Sequence, residues 1–96
     1  MVNLPVVKTV LIIVSGKVQG VYFRQSAKET ARGLGIAGTV SNHQDGTVRV
    51  VVTGTAEKLE QFVAWCKLGP PRAVVAGVVV KEMELQVFQD FTIERK

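Results

Sequence analysis

In this chain of 96 residues the clearest chemical signal is one arginine and the loop before it. Residues 16–24 read Gly-Lys-Val-Gln-Gly-Val-Tyr-Phe-Arg. Two glycines four apart, Gly16 and Gly20, let a tight loop turn its backbone N–H groups inward, making a concave nest for negative charge. The helix expected after the loop has no Ser, Thr, Asp or Asn just before it. Its first N–H groups are then free for an outside anion, and the helix dipole favours one there. Arg24 falls in the first turn, where its planar fork matches two phosphate oxygens. On spacing alone a plainer reading stands beside this one: the glycines merely permit a strand-to-helix turn, and Arg24 is a solvated surface residue. The loop lacks the Gly-Lys-Ser/Thr ending of a Walker motif and the Gly-x-Gly-x-x-Gly spacing of a dinucleotide site.

The elements that must position this loop follow from hydrophobic periodicity. Residues 7–15, VKTVLIIVS, are β-branched and nearly continuously apolar, as a central strand requires. From Tyr22 to Leu34 the spacing of Phe23, Ala27, Thr30, Ala31 and Leu34 predicts a helix with one apolar face, stopped at Gly33 and Gly35. Strands are expected over 36–42 and 47–53, joined by a hairpin turn in which Asp45-Gly46 supplies the positive backbone angles. Thr55 caps a second helix, with Glu57 in its first turn. Its apolar face is Ala56, Leu59, Phe62, Val63 and Cys66, and Gly69-Pro70-Pro71 ends it. Residues 73–80 and 88–93 read as the last strands. The first six residues and the last two or three are expected to be loose.

The order is therefore β-α-β-β-α-β with a short extra strand, in one domain spanning 1–96. It predicts a ferredoxin-like α/β sandwich, with two helices on one face of an antiparallel sheet. In such a split β-α-β unit the first two strands are parallel, with the third inserted between them. The loop at 16–21 and the turn at 42–46, distant in sequence, are then neighbours at one end of the sheet.

Composition narrows the partners. Apolar residues make up 47% of the chain, enough to build a core in a domain of this length. Cys66 is the sole cysteine and His43 the sole histidine, so one chain can form neither an internal disulfide nor a His/Cys zinc site. No metal site built on these residues is expected, and Cys66 reads as an inert core residue. A net charge of +4 permits an anionic partner, but the charge is dispersed. There is no apolar run long enough to span a bilayer and no signal-peptide pattern at the start, so a cytoplasmic monomer with no membrane or nucleic-acid partner is expected.

Residues 15–24, Ser-Gly-Lys-Val-Gln-Gly-Val-Tyr-Phe-Arg, resemble the acylphosphatase signature Gly-x-Val-Gln-Gly-Val-x-Phe-Arg at every fixed position. The resemblance extends to Gly38-Thr39-Val40-Ser41-Asn42, then to Gly46-Thr47-Val48 and Gly54, and covers roughly residues 8 to 93. It implies an enzyme that hydrolyses acyl phosphates without metal or cofactor. It also implies that phosphate is bound by the loop, Lys17, Val18, Gln19, Gly20, Val21 and Tyr22, together with Arg24. The resemblance implies further that Asn42 orients the attacking water, which makes Arg24 and Asn42 the expected catalytic pair. Two positions depart from the family pattern: an aromatic residue is usual where Thr39 stands, and a basic one where Ser41 stands. Both flank the catalytic position, where they are expected to alter stability or substrate affinity.

This chemistry makes modest demands. The leaving carboxylate is already stable as an anion, so no general acid is needed. If attack occurs at phosphorus, positioning and charge stabilisation carry most of the work. The Asn42 carboxamide is no base near neutrality, but its carbonyl can hold a water proton and aim the lone pair. His43 is adjacent on the strand, so it is expected to face away, and Asp45 belongs to the turn. Ser15 and Ser26 have no base at a recognisable offset. Phe23, Phe62, Trp65, Phe88 and Phe91 read as packing. Tyr22 flanks the loop, where its ring either meets the acyl group or covers the helix start. The alternative function is a non-catalytic anion-binding or regulatory module on the same fold. An RNA-binding domain of similar topology would stack bases on central-strand aromatics, and residues 47–53 contain none. A copper carrier would need a Cys-x-x-Cys loop, which is absent.

Overall fold

A computed structural model describes residues 6–95. The looseness expected of residues 1–5 and of Lys96 lies outside that range. The order is β1 (Val7–Lys17), α1 (Phe23–Leu34), β2 (Ala37–Asn42), β3 (Val48–Thr55), α2 (Ala56–Leu68), β4 (Val74–Met83) and β5 (Phe91–Ile93). The strands form one sheet in the order β4-β1-β3-β2-β5. Both β1 and β2 pair antiparallel with β3, so they run parallel to each other, as the split unit requires.

Alternation along the central strands places the core. Val10, Ile12 and Val14 of β1, Val48, Val50 and Val52 of β3, and Val40 of β2 all face the helices and are buried. They pack against Phe23, Ala27 and Ala31 of α1 and Leu59, Phe62 and Cys66 of α2. Each fully buried aliphatic or aromatic side chain contributes about 1.5–3 kcal/mol. Phe23, Phe62, Trp65 and Phe91 form an aromatic chain across the helix layer, with ring centroids 5.2 to 6.0 Å apart. Helix α1 ends at Gly35, whose N–H reaches the carbonyls of Ala31 and Arg32. The Thr55 hydroxyl accepts from the Lys58 N–H and caps α2.

Beyond the bounds of β4, which runs on to Met83 instead of ending at 80, and of β5, which begins at Phe91 instead of 88, two features differ from expectation. Strand β5 runs parallel to β2, so the sheet is mixed. The cause is topological: β4 runs away from the loop end, residues 84–90 cross the far end, and the returning strand must run back alongside β2. The crossing is pinned by Gln86, whose N–H donates to the Thr9 hydroxyl at 2.8 Å and whose carbonyl accepts from Thr53 at 2.6 Å. Arg32 then clamps Asp90 with two charge-assisted bonds, of 3.2 and 2.7 Å. The second difference is that β1 continues to Lys17, two residues beyond the expected end. Gly16 sits at a register shift against β4 with φ +116°, and a Cβ there would lie 2.2 Å from the Val74 carbonyl oxygen. Gly16 therefore serves the close approach of β4, and the free loop begins at Val18.

Candidate active site

Four chain segments meet at one end of the sheet. Strands β1, β2 and β5 all end there and β4 begins there, because Gly16 and Lys17 pair with Val75 and Val74. The expected adjacency of the 16–21 loop and the 42–46 turn is observed directly. The Gln19 amide donates to the carbonyls of His43 at 2.8 Å and Thr47 at 3.0 Å, tying the loop to the hairpin. Val18 and Val21 are buried plugs that hold the loop to the core. Between them Gly20 takes φ +72°, and Tyr22 follows at φ +71°. Left-handed backbone is uncommon for an aromatic residue, and such strain persists where surrounding packing over-determines it. Tyr22 is the N-cap of α1 and gives no side-chain cap, so the first N–H groups of the helix lack that partner.

The turn holding Asn42 is rigidly built. His43 N–H donates to the Thr47 carbonyl, and Gly46 N–H to that of His43. Asp45 accepts from the Thr47 hydroxyl at 2.6 Å, from the Thr47 N–H at 3.0 Å and from Arg49 at 3.0 Å. The Thr47 bonds above all, helped by Arg49, hold the Asp45 carboxyl down at about 2. Asn42 lies on the same strand face as buried Val40, toward the helices. Its Oδ1 is buried and has no hydrogen-bond partner among the described residues. An unpartnered buried carbonyl is costly, and in a functional cleft it marks a place for a bound donor. His43 faces the other way, as expected, with its Nε2 3.2 Å from the Ser41 hydroxyl.

Loop, helix start and strand ends enclose a cleft of about 400 Å³. Gly20 and Tyr22 line it from the loop, Arg24 and Gln25 from the first turn of α1, and Asn42 from β2. Ile93 and Arg95 close it beyond β5. Two guanidinium groups and no carboxylate line this space, so its charge favours an anion. Among the described residues no group of three or more His, Cys, Asp or Glu side chains could hold a metal ion.

Residues 10–93 match the family model for acylphosphatase. The chain belongs to the acylphosphatase family. It is 44% identical over 89 residues to the acylphosphatase of Methylococcus capsulatus, covering 92% of this chain and 97% of that one. The acylphosphatase structure from Coxiella burnetii superposes with a TM-score of 0.88 at 34% identity, over 92% of this chain and 93% of that one. The Bacillus subtilis acylphosphatase gives the same TM-score and identity, over 93% and 99% of the two chains. Acylphosphatases are hydrolases that act on acyl phosphates.

The acylphosphatase residues expected from the sequence are brought together unevenly. Arg24, Asn42, Val18, Gly20 and Tyr22 share the cleft. Lys17 lies outside its lining, exposed at the end of β1, while the Gln19 side chain is engaged by the hairpin and Val21 is buried in the core. For Gln19 and Val21 only backbone N–H groups are left to face a ligand. Gln25, Ile93 and Arg95 were missed. The Glu94 N–H donates to the Val40 carbonyl at 2.8 Å and so carries Arg95 to the cleft. The signal lay in the chain path, since a strand returning from the far end must finish beside Asn42.

Proposed function

We propose that this chain hydrolyses acyl phosphates to a carboxylate and inorganic phosphate by direct attack of a water on phosphorus. Arg24 and the loop N–H groups of residues 17–22 hold the phosphoryl oxygens, and Asn42 holds the water. The observation that carries the reading is the buried, unpartnered Oδ1 of Asn42 in the same cleft as the Arg24 guanidinium. That carbonyl accepts one water proton and turns a lone pair toward phosphorus. As the water oxygen bonds to phosphorus, the bond to the acyl oxygen breaks and its electron pair leaves with the carboxylate. The water proton passes to a phosphate oxygen or to solvent. Charge on the equatorial oxygens is met by donors already in place, the arrangement that gives electrostatic catalysis most of its effect.

The reading includes a metal-independent reaction, supported by a cleft lined by two guanidinium groups and no carboxylate, in a cytoplasmic monomer. Steady-state phosphate release from acetyl phosphate tests it, with EDTA present and absent. Turnover should be unaffected by EDTA, inorganic phosphate should inhibit competitively, and ¹⁸O from labelled water should appear in phosphate. Activity lost on chelation and restored by Mg²⁺ would refute the cofactor-free mechanism. Tight phosphate binding without turnover would favour the anion-binding module.

A further inference from the structure

Arg95 stands beside Asn42, one strand over. Ile93 of β5 pairs with Val40 of β2, and the Glu94 N–H continues that parallel ladder onto the Val40 carbonyl. Two residues further along each strand come Asn42 and Arg95, on the same face as Val40 and Ile93, because side chains alternate along an extended chain. Both line the cleft, which Arg24 enters from the first turn of α1. We infer that in the proposed hydrolysis, on which this rests, Arg95 is a second phosphoryl-binding cation, holding the substrate from the β5 side while Arg24 holds it from α1.

The charges support this. Among the described residues, Arg32 and Arg49 are each paired with a carboxylate, that of Asp90 and that of Asp45. Arg24 and Arg95 have no such partner there, and no carboxylate lines the space they share. Glu94, one position before Arg95, falls on the opposite face of the strand. Two cations brought to one hollow repel each other until an anion lies between them, and a phosphoryl group with two negative charges answers both.

The two arginines differ in how firmly they are held. Arg24 is half-buried and rises from a helix start anchored by the buried Phe23 and Ala27. Arg95 is exposed, two residues past the last strand pair. A long exposed side chain follows the phosphoryl group as its shape changes, and so binds substrate, transition state and product about equally. Uniform binding of this kind lowers KM and leaves kcat alone. It also needs a positive charge more than a planar fork, so a lysine can replace the arginine here.

The test measures inorganic phosphate Kd by calorimetry, with kcat and KM for acetyl phosphate, in Arg95→Lys, Arg95→Gln and Arg95→Glu. Arg95→Gln should raise phosphate Kd and KM about tenfold, the loss of one charge-assisted bond, with kcat within about twofold of wild type. Arg95→Glu should raise both further, and Arg95→Lys should keep both within about threefold. A wild-type urea midpoint in each variant establishes that the fold is intact. A rise of less than about threefold in phosphate Kd for Arg95→Gln overturns the inference and returns Arg95 to solvent. Equal losses in Arg95→Lys and Arg95→Gln overturn it as well, because shape and not charge would then be responsible. Phosphate binding is read without turnover. A wild-type protein that binds phosphate but hydrolyses nothing therefore refutes the hydrolysis, while Arg95 is still judged by its Kd.

Discussion

In the proposed reaction Arg24 grips two phosphoryl oxygens from the first turn of α1, beside N–H groups that no capping side chain occupies. Its replacement by Ala should cost about 3–4 kcal/mol of transition-state stabilisation, the usual loss for a preorganised charge donor. Arg24→Lys should recover little, since a point charge does not reproduce the planar fork. Measured kcat/KM for both variants checks this, and near-native activity in Arg24→Lys would remove Arg24 from the phosphate clamp. Cys66 gives the contrasting case of a reactive group silenced by its surroundings. It is fully buried on α2, and burial pushes its thiol up to about 12. Iodoacetamide should leave the native protein unlabelled at pH 8 and react only after unfolding, a difference that mass spectrometry reads directly. Arg24 and Asn42 were legible in the sequence because their motifs stand in short, contiguous runs. Arg95 was not, because its place in the cleft depends on where a strand 50 residues beyond Asn42 comes to rest, a distance of about that many positions that no local spacing records.

At the scale of elements, the two devices that hold the site are the β1–β4 approach and the hairpin after β2. Gly16→Ala forces a Cβ against the Val74 carbonyl at a φ of +116°. It should destabilise the fold by about 2 kcal/mol or more, seen as a lower urea midpoint. An unchanged midpoint would show that β4 can move aside. Asp45 makes the hairpin sensitive to acid. Its carboxyl is lowered from 3.8 to about 2 in the folded protein, so its stabilising effect is complete above 3.8 and is lost as pH falls through 2. Asp90, lowered by the Arg32 bond and by the Phe91 N–H, acts in the same direction. The urea midpoint of the wild type should therefore fall between pH 5 and pH 2, and Asp45→Asn should show a smaller fall from a lower starting value. Equal falls in both proteins would mean that the turn contributes nothing to acid sensitivity. The turn at 43–47 was readable from residue types alone, but its form was not: Gly46 takes a positive φ while Asp45 does not, and Asp45 lies inside the turn that the Gly46 N–H closes onto the His43 carbonyl. The end of β1 was not, since Gly16 looks the same whether it opens a loop or admits a neighbouring strand.

Across the whole molecule, function depends on which strand ends the topology gathers. The parallel relation of β1 and β2 brings the anion loop to Asn42, and the crossing at the far end returns β5 beside them. The split unit was deducible from element order and handedness rules, and it placed loop and turn together before any coordinates. The direction of β5 was not deducible from its own three residues, too short a strand to carry a pattern. In the proposed reaction the gathered ends separate two tasks: the loop and Arg24 bind, and Asn42 aims the water. The most direct test is kcat together with inorganic phosphate Kd for folded Asn42→Ala. Water positioning by Asn42 predicts a fall in kcat of about a hundredfold or more with phosphate Kd changed only modestly. A folded Asn42→Ala protein with wild-type kcat would contradict the account and assign the water to another group.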